Sequence, residues 1–157
     1  MSRKARVTTK EETDHSPRRR FLEGLFARTK GITALDYELL PSSPDFLRAN
    51  TGVGGLSFRF VVGMDGSRVE LYIASRDATA NERLFEELLR HKGEIEKSFG
   101  EPLSWENLEG SKSCRIAYRL VSGGASYEAK WKATQAALVD TMIRFEKALL
   151  PFVTSRE

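Results

Sequence analysis

The sequence is poor in the residues from which stapled or metal-bound folds are built. Its single cysteine, Cys114, cannot form an internal disulfide, and its only two histidines, His15 and His91, lie far apart along the chain. Neither a disulfide framework nor a Cys/His metal site is therefore expected, and the sequence predicts no cofactor. A chain of 157 residues buries enough surface to fold around a core without such staples.

Long apolar runs are also missing. No stretch approaches the roughly 18 apolar residues of a membrane span, and the first 20 residues lack the apolar segment of a signal peptide. We therefore expect a protein that is neither secreted nor membrane-embedded, and a lone cysteine is typical of the reducing cytoplasm. The composition, 40% apolar and 30% charged, is that of one ordinary globular domain and names no chemistry.

Positive charge is concentrated at the N-terminus. Residues 1–20 hold seven Lys/Arg and three acids, whereas the rest of the chain is nearly neutral. Residues 1–16 are predicted to be a disordered basic arm, because they contain too few apolar side chains to fold alone. A single domain over 17–157 follows, and Arg18, Arg19 and Arg20 at its start are candidate nucleic-acid contacts.

The spacing of apolar residues, together with the residues that begin and end each segment, predicts the element order α-β-β-α-β-α. A long connection, with a short helix near residues 45–49, is expected over 31–55, because prolines and glycines interrupt every period there. A capping box, Thr79-Ala80-Asn81-Glu82, is expected to open the second helix, and Pro151 to end the last one. The predicted helices are 17–30, 80–99 and 126–150, and the predicted third strand is 114–121.

A β-hairpin is the clearest local signal. The segments LSFRFVVG and SRVELYIAS alternate apolar and polar residues around Met64-Asp65-Gly66-Ser67, and Asp-Gly is the typical dipeptide of a type I′ turn. If Met64 faces Ser67, the apolar cross-strand pairs are Val62 with Val69, Phe60 with Leu71, and Phe58 with Ile73.

These elements predict a single two-layer α+β domain, in which a small, mainly antiparallel sheet packs on helices. The helices should cover the face that carries Phe58, Phe60, Ile116 and Tyr118. The other face should be open to water, and basic side chains beside an aromatic ring there can contact phosphates and stack on a base. Glu70 falls on the same face, and an ordinary solvated sheet also carries such residues. The candidate contacts are Arg59, Arg68, Tyr72, Arg115 and Arg119.

Catalytic motifs are weak. The segments Pro44-Asp45 and Glu128-Ala129-Lys130 have the letters of a metal-dependent nuclease, but they are 83 residues apart and Glu128 opens a predicted helix. Such an enzyme would need Asp45, Glu70 and Glu128 around one pocket. The Gly52-Val53-Gly54-Gly55 run precedes a strand, whereas phosphate-binding loops precede a helix. Cys114 is expected to be an inert core thiol, and no catalytic or metal-binding residue is predicted.

From Gly52 to about Pro151 the sequence resembles a prokaryotic family known as domain of unknown function 4268. The most specific stretch contains Lys92, Ile95-Glu96, Gly100, Leu103 and Trp105. The resemblance implies a bacterial or archaeal cytoplasmic protein, often appended to nuclease-like or restriction-associated domains, and it supplies no catalytic residues. The matching segments are TGVGGLSFRF, RVELYIAS, NERLFEELLRHKGEIEKSFGEPLSWENL, SCRIAYRL and KWKATQAALVDTMIRFEKALLPFV.

Two functions of different class follow from these observations. The first is a noncatalytic binding module that contacts nucleic acid, or a partner from a defence or restriction system, through the basic arm and the Arg/Tyr sheet face. The second is a metal-dependent, nuclease-like enzyme. A homodimer through the last helix is a further expectation, and no membrane contact is expected.

Overall fold

The computed structural model describes residues 16–41, 45–108, 112–120 and 123–154. The predicted basic arm, apart from Ser16, lies outside these residues. Within them the chain forms four helices and five strands, with one 3₁₀ turn at Glu128–Lys130 before the last helix. The elements are α1 (Pro17–Thr29), β1 (Phe46–Asn50), β2 (Leu56–Val62), β3 (Ser67–Ile73), α2 (Ala78–Arg90), α3 (Lys92–Phe99), β4 (Ser104–Asn107), β5 (Cys114–Leu120) and α4 (Trp131–Thr154).

The five strands form one antiparallel sheet in the order β1-β2-β3-β5-β4. All four helices contribute buried side chains to one core with the inner face of this sheet. Phe58, Phe60 and Ile116 lie in that core as predicted, and Tyr118 packs at its edge against Phe99. The predicted α+β class and the face that the helices cover are therefore confirmed.

Aromatic packing joins the sheet to the longest helix. Phe58 of β2 meets Phe145 of α4 edge to face, with 5.7 Å between ring centroids, and Phe99 of α3 meets Phe145 at 6.0 Å. All three are essentially inaccessible to solvent, and burying one such side chain stabilises a fold by about 2–3 kcal/mol. None of the described helices, α4 included, is long and apolar enough to cross a membrane.

Two strands were not predicted. The segment expected to hold a short helix near 45–49 is β1, and the connection after α3 contains β4. Leu47 and Ala49 point into the core while Arg48 points away, so pairing with β2 overrides the weak local preference. The element order is therefore α-β-β-β-α-α-β-β-α rather than α-β-β-α-β-α.

The predicted Gly-rich segment is the turn between β1 and β2. Gly55 has φ +80°, and a Cβ there would lie 2.7 Å from the Cα of Ser75. Its carbonyl accepts a hydrogen bond from the Ala74 amide at 2.7 Å. Glycine is required because backbone approaches backbone here, and β2 follows the turn as the sequence predicted.

The helix boundaries differ in three places from those predicted. Residues 80–99 form two helices broken at His91, and the first is capped by Asp77, whose Oδ1 accepts hydrogen bonds from the Thr79 and Ala80 amides. The last helix starts at Trp131 after the 3₁₀ turn. It continues through Pro151, since a proline in the final turn removes a single helical hydrogen bond and Val153 beyond it is fully buried.

The predicted hairpin is present, but its register is shifted by two residues. Val62 pairs with Ser67, Phe60 with Val69, and Phe58 with Leu71. No non-glycine residue in the described part of the chain has a positive φ, so the turn is not type I′. The Gly63 and Met64 carbonyls accept hydrogen bonds from the Ala125 and Ser126 amides at 3.0 and 2.9 Å. This tertiary contact holds the turn, and an even shift keeps each side chain on its predicted face.

Candidate nucleic-acid interface

The outer face of the sheet, opposite the helices, carries five arginines and two glutamates. The strand registers arrange them in rows that cross the sheet. The central row is Arg48, Arg59, Glu70, Ala117 and Ser104; one flanking row is Phe46, Val61, Arg68 and Arg119; the other is Asn50, Ser57, Tyr72, Arg115 and Glu106.

Ion pairs neutralise one half of this face, formed by β5, β4 and the Arg68–Glu70 segment of β3. Glu70 is only 1% exposed, and its Oε1 lies 2.7 Å from Arg68 Nε and 3.6 Å from Arg115 Nη1. Glu106 accepts from Arg115 Nε at 2.7 Å and from Arg119 Nη1 at 2.8 Å. We refer to Arg68, Arg115, Arg119, Glu70 and Glu106 as the paired half of the outer face.

The ion pairs of the paired half shift the pKa of Glu106. Burial alone would raise the pKa of this carboxyl, but hydrogen bonds from Arg119, Arg115 and Ser104 outweigh it and lower the pKa from 4.5 to about 2. Glu106 is therefore a fixed anion at neutral pH, and two arginines of the face already have a protein partner.

The other half differs because Arg59 contacts aromatic rings rather than acids. Arg59 is in the central row, and the rings on either side of it belong to the two flanking rows. Its Cζ lies 4.4 Å from the ring centroid of Phe46 and 4.1 Å from that of Tyr72. Arg59 Nε donates to Ser57 Oγ at 3.4 Å. No carboxylate of the described residues lies within salt-bridge distance of Arg59, and burial lowers its pKa. We refer to Phe46, Arg48, Arg59 and Tyr72 as the aromatic half.

Arg48 stands directly opposite Arg59 in the β1–β2 register. Its Nη2 lies 3.6 Å from Oε1 of the largely exposed Glu38. Its Nε is buried and has no hydrogen-bond partner. The two arginines therefore face each other on neighbouring strands, with Glu38 opposite Arg48 on one side and Glu70 opposite Arg59 on the other.

Two polar depressions open on the outer face. One, of about 360 Å³, lies at the end of the sheet near the hairpin turn, and Arg18, Asp45, Arg68 and Arg119 are among its lining residues. The other, of about 210 Å³, lies over the aromatic half and is lined in part by Arg48, Asn50, Ser57, Arg59 and Tyr72. Arginine side chains therefore border both depressions.

The structure brings most of the predicted contacts onto one surface. Arg59, Arg68, Tyr72, Arg115 and Arg119 all lie on the outer face, and Arg18 joins its edge. Arg19 and Arg20 make other contacts. Arg19 Nη1 donates to the Leu40 carbonyl at 3.1 Å, and Arg20 pairs with Glu128 at 3.3 Å and lies over the Trp131 ring.

The outer-face residues of the two unpredicted strands were missed. Phe46 and Arg48 lie in the segment predicted as a helix, and Glu106 in the segment predicted as a connection. In Phe46–Asn50 the alternation of buried and exposed residues covers only five positions and includes no β-branched side chain, so the sequence pattern was too short to predict a strand.

The carboxylates required for the nuclease hypothesis do not form one pocket. Asp45 lines the depression with Arg18, Glu70 lies beneath arginines, and Glu128 pairs with Arg20 on the 3₁₀ turn. Among residues 16–41, 45–108, 112–120 and 123–154, no group of three or more His, Cys, Asp or Glu side chains could hold a metal ion. Cys114 is buried as predicted, and burial raises the pKa of its thiol.

The fold and the face define an α+β domain with helices on one side of an antiparallel sheet and an arginine-rich surface on the other. The chain matches a family model described as Domain of unknown function (DUF4268) over residues 18–153, and it belongs to that family. Searches among curated proteins and among solved structures find no match.

Proposed function

We propose that this protein is a noncatalytic module that binds single-stranded nucleic acid on the outer face of its sheet. The observation that carries the proposal is the excess of five arginines over two glutamates on that face, with Arg59 held between Phe46 and Tyr72. Arginine is the side chain best suited to contact phosphate, because its planar donors match phosphate oxygens in pairs.

The shape of the face favours a single strand over a duplex. Duplex sequence is read mainly by elements that enter the major groove, and the described helices all pack on the inner face of the sheet. An open sheet with basic and aromatic side chains is a surface on which extended strands lie. Tyr72 already has Arg59 against its ring, so we assign phosphate contact rather than base stacking to this part of the face.

The proposal extends to the setting of the protein. We infer a prokaryotic cytoplasmic protein that meets nucleic acid, alone or with a restriction or defence partner, from the sequence resemblance described above and from the single, buried cysteine. A restriction- or defence-system protein as the main ligand is the competing class, and the experiment below separates the two.

The test is a fluorescence-anisotropy titration of labelled single-stranded DNA, duplex DNA and single-stranded RNA at two salt concentrations. The full chain is compared with a chain that starts at Ser16. Binding that survives truncation, favours single strands and weakens with salt supports the proposal, because released counterions make phosphate contacts salt-dependent. Binding that disappears with the arm, or no binding at all, overturns it, and the second result favours a protein partner.

Charge reversal at Arg115 and Arg119 would be a poor substitute for this test. Both side chains pair with Glu106, and Arg115 also contacts the buried Glu70. Glutamate at these positions would place acids against acids and destabilise the sheet. A loss of binding would then report unfolding as readily as a lost contact.

A further inference from the structure

Arg48 and Arg59 face each other across β1 and β2. The acids on either side of this pair do not bind it tightly, because Glu38 is 3.6 Å from Arg48 and Glu70, opposite Arg59, is held by Arg68 and Arg115. Like charges directly opposite on neighbouring strands destabilise a sheet. Two arginines of the paired half share Glu70 instead, and two share Glu106. The aromatic half is therefore the part of the outer face where an anion from outside the protein would relieve repulsion.

The surroundings of Arg59 determine how it can bind. Phe46 and Tyr72 contact Arg59 from the two flanking rows, and Ser57 Oγ accepts a hydrogen bond from its Nε. The two rings shield the guanidinium on the sides that they cover, so its terminal nitrogens are the donors left for a ligand. Such a fixed fork suits an anion that accepts two parallel hydrogen bonds.

Arg48 contributes a second, independent observation. Its Nε is buried and makes no hydrogen bond, which costs free energy, and the only ion pair of its guanidinium among the described residues is the 3.6 Å contact with Glu38. Asn50 and Ser57 lie in the next row, and both line the same depression of about 210 Å³ as the two arginines. A water molecule takes about 30 Å³, so a phosphate group with several waters fits in this space.

We propose that Arg48 and Arg59 together hold one phosphate group in the depression that they line with Tyr72, Asn50 and Ser57. The inference rests on the proposed function, because the phosphate would belong to the backbone of a bound nucleic-acid strand. Phosphate fits better than carboxylate, since an anion with more than two acceptor oxygens can bridge two guanidinium groups and a neighbouring amide or hydroxyl.

The experiment is a ¹H–¹⁵N NMR titration of the full chain with inorganic phosphate, repeated with acetate at equal ionic strength. Phosphate should shift the amide signals of β1 and β2 and the Nε signals of Arg48 and Arg59, and acetate should do so more weakly. Equal shifts at all arginines, or equal responses to phosphate and acetate, would overturn the assignment.

Matched variants localise the effect. We expect Arg48→Gln and Arg59→Gln each to weaken phosphate binding about tenfold, the usual worth of a charged hydrogen bond. Arg83→Gln removes the same charge from the exposed surface of α2 and should leave binding unchanged. Unchanged spectra outside the substituted strand show that each variant is folded. Equal affinity of all three variants for phosphate would refute the subsite.

The same variants separate this inference from the proposed function. If a single-stranded oligonucleotide binds the full chain and both glutamine variants equally well, the face binds nucleic acid and the subsite is wrong. If phosphate binds at Arg48 and Arg59 but no oligonucleotide binds, the subsite stands as an anion site and the proposed function fails.

Discussion

The two faces of the sheet consist of the same five strands but are stabilised by different interactions. The inner face is apolar and closed by helices, with Phe58, Phe60, Val69, Leu71 and Ile116 fully buried. The outer face carries arginines and glutamates, yet Glu70 and Ala117 in its central row are as inaccessible as the core. Strand alternation determines which side chains share a face, and side-chain length and pairing determine which of them meet solvent.

The outer face is itself divided, and the division bears on function. In the paired half, protein carboxylates bind the arginines, whereas in the aromatic half rings contact Arg59 and no described carboxylate lies within salt-bridge distance of it. A count of positive charges alone does not distinguish the two halves. Their availability to a ligand differs, because a guanidinium that already donates to a carboxylate must give up that bond to bind a phosphate.

The largest effect is expected on the inner face. Phe58→Ala should lower the free energy of unfolding by about 3–5 kcal/mol, because it leaves a cavity against Phe145. Val61→Ala on the outer face of the same strand should cost less than about 1 kcal/mol. Urea denaturation followed by circular dichroism measures both, and similar losses would show that the two faces do not differ as described.

The sequence predicted the contrast between the faces better than it predicted the sheet. Alternation in β2, β3 and β5 assigned Arg59, Arg68 and Arg115 correctly to the outer face, even with the hairpin register wrong by two residues. β1 and β4 were missed because each is short and lies at an edge, where pairing with a neighbour supplies the stability that local preference lacks.

The candidate site was predicted only as a set of charges, because pairing depends on residues from separate segments. Glu106 reaches Arg115 and Arg119 only because β4 lies beside β5. Arg48 reaches the site only because β1 lies beside β2. The alternation of side chains within one strand reveals neither of these contacts. The sequence alone therefore could not predict the division into a paired and an aromatic half.

The second prediction tests the paired half through its central acid. Glu70→Gln keeps the side-chain volume but removes the buried charge that Arg68 and Arg115 share. We expect a loss of about 1–3 kcal/mol in the free energy of unfolding, since two arginines lose a charged acceptor. Oligonucleotide affinity should rise, because those arginines become available. Denaturation and anisotropy measure the two effects, and weaker oligonucleotide binding by the folded variant would contradict this account.

The third prediction is a pH dependence that arises at Glu106. Its folded-state pKa of about 2 lies below the usual 4.5, so its contribution to stability is complete above pH 4.5 and is lost as the pH falls toward 2. The expected contribution is at most about 3 kcal/mol, since each unit of pKa shift corresponds to about 1.4 kcal/mol. The stability of Glu106→Gln should therefore differ most from that of the original protein near neutral pH, and the two stabilities should converge at low pH.

Glu146 does not affect this comparison. Burial raises its pKa, which changes stability with pH in the opposite direction, but this group is common to both proteins. A stability difference that does not change between pH 2 and 6 would refute the role of Glu106.

The smallest effect on stability is expected in the aromatic half, at Arg48. Arg48→Met keeps a long apolar stem while it removes the unpartnered Nε, the charge opposite Arg59 and a loose contact with Glu38. These changes nearly cancel, so the free energy of unfolding should stay within about 0.5 kcal/mol of the original or rise slightly, although phosphate binding should weaken. The control is Arg68→Met, which strips the buried Glu70 of its closest partner and should cost several times more. If Arg48→Met destabilises the fold as much as Arg68→Met does, then Arg48 has a structural role and the two halves of the outer face are alike. If it does not, the charge at position 48 is retained at no benefit to folding, as expected of a residue that serves a ligand.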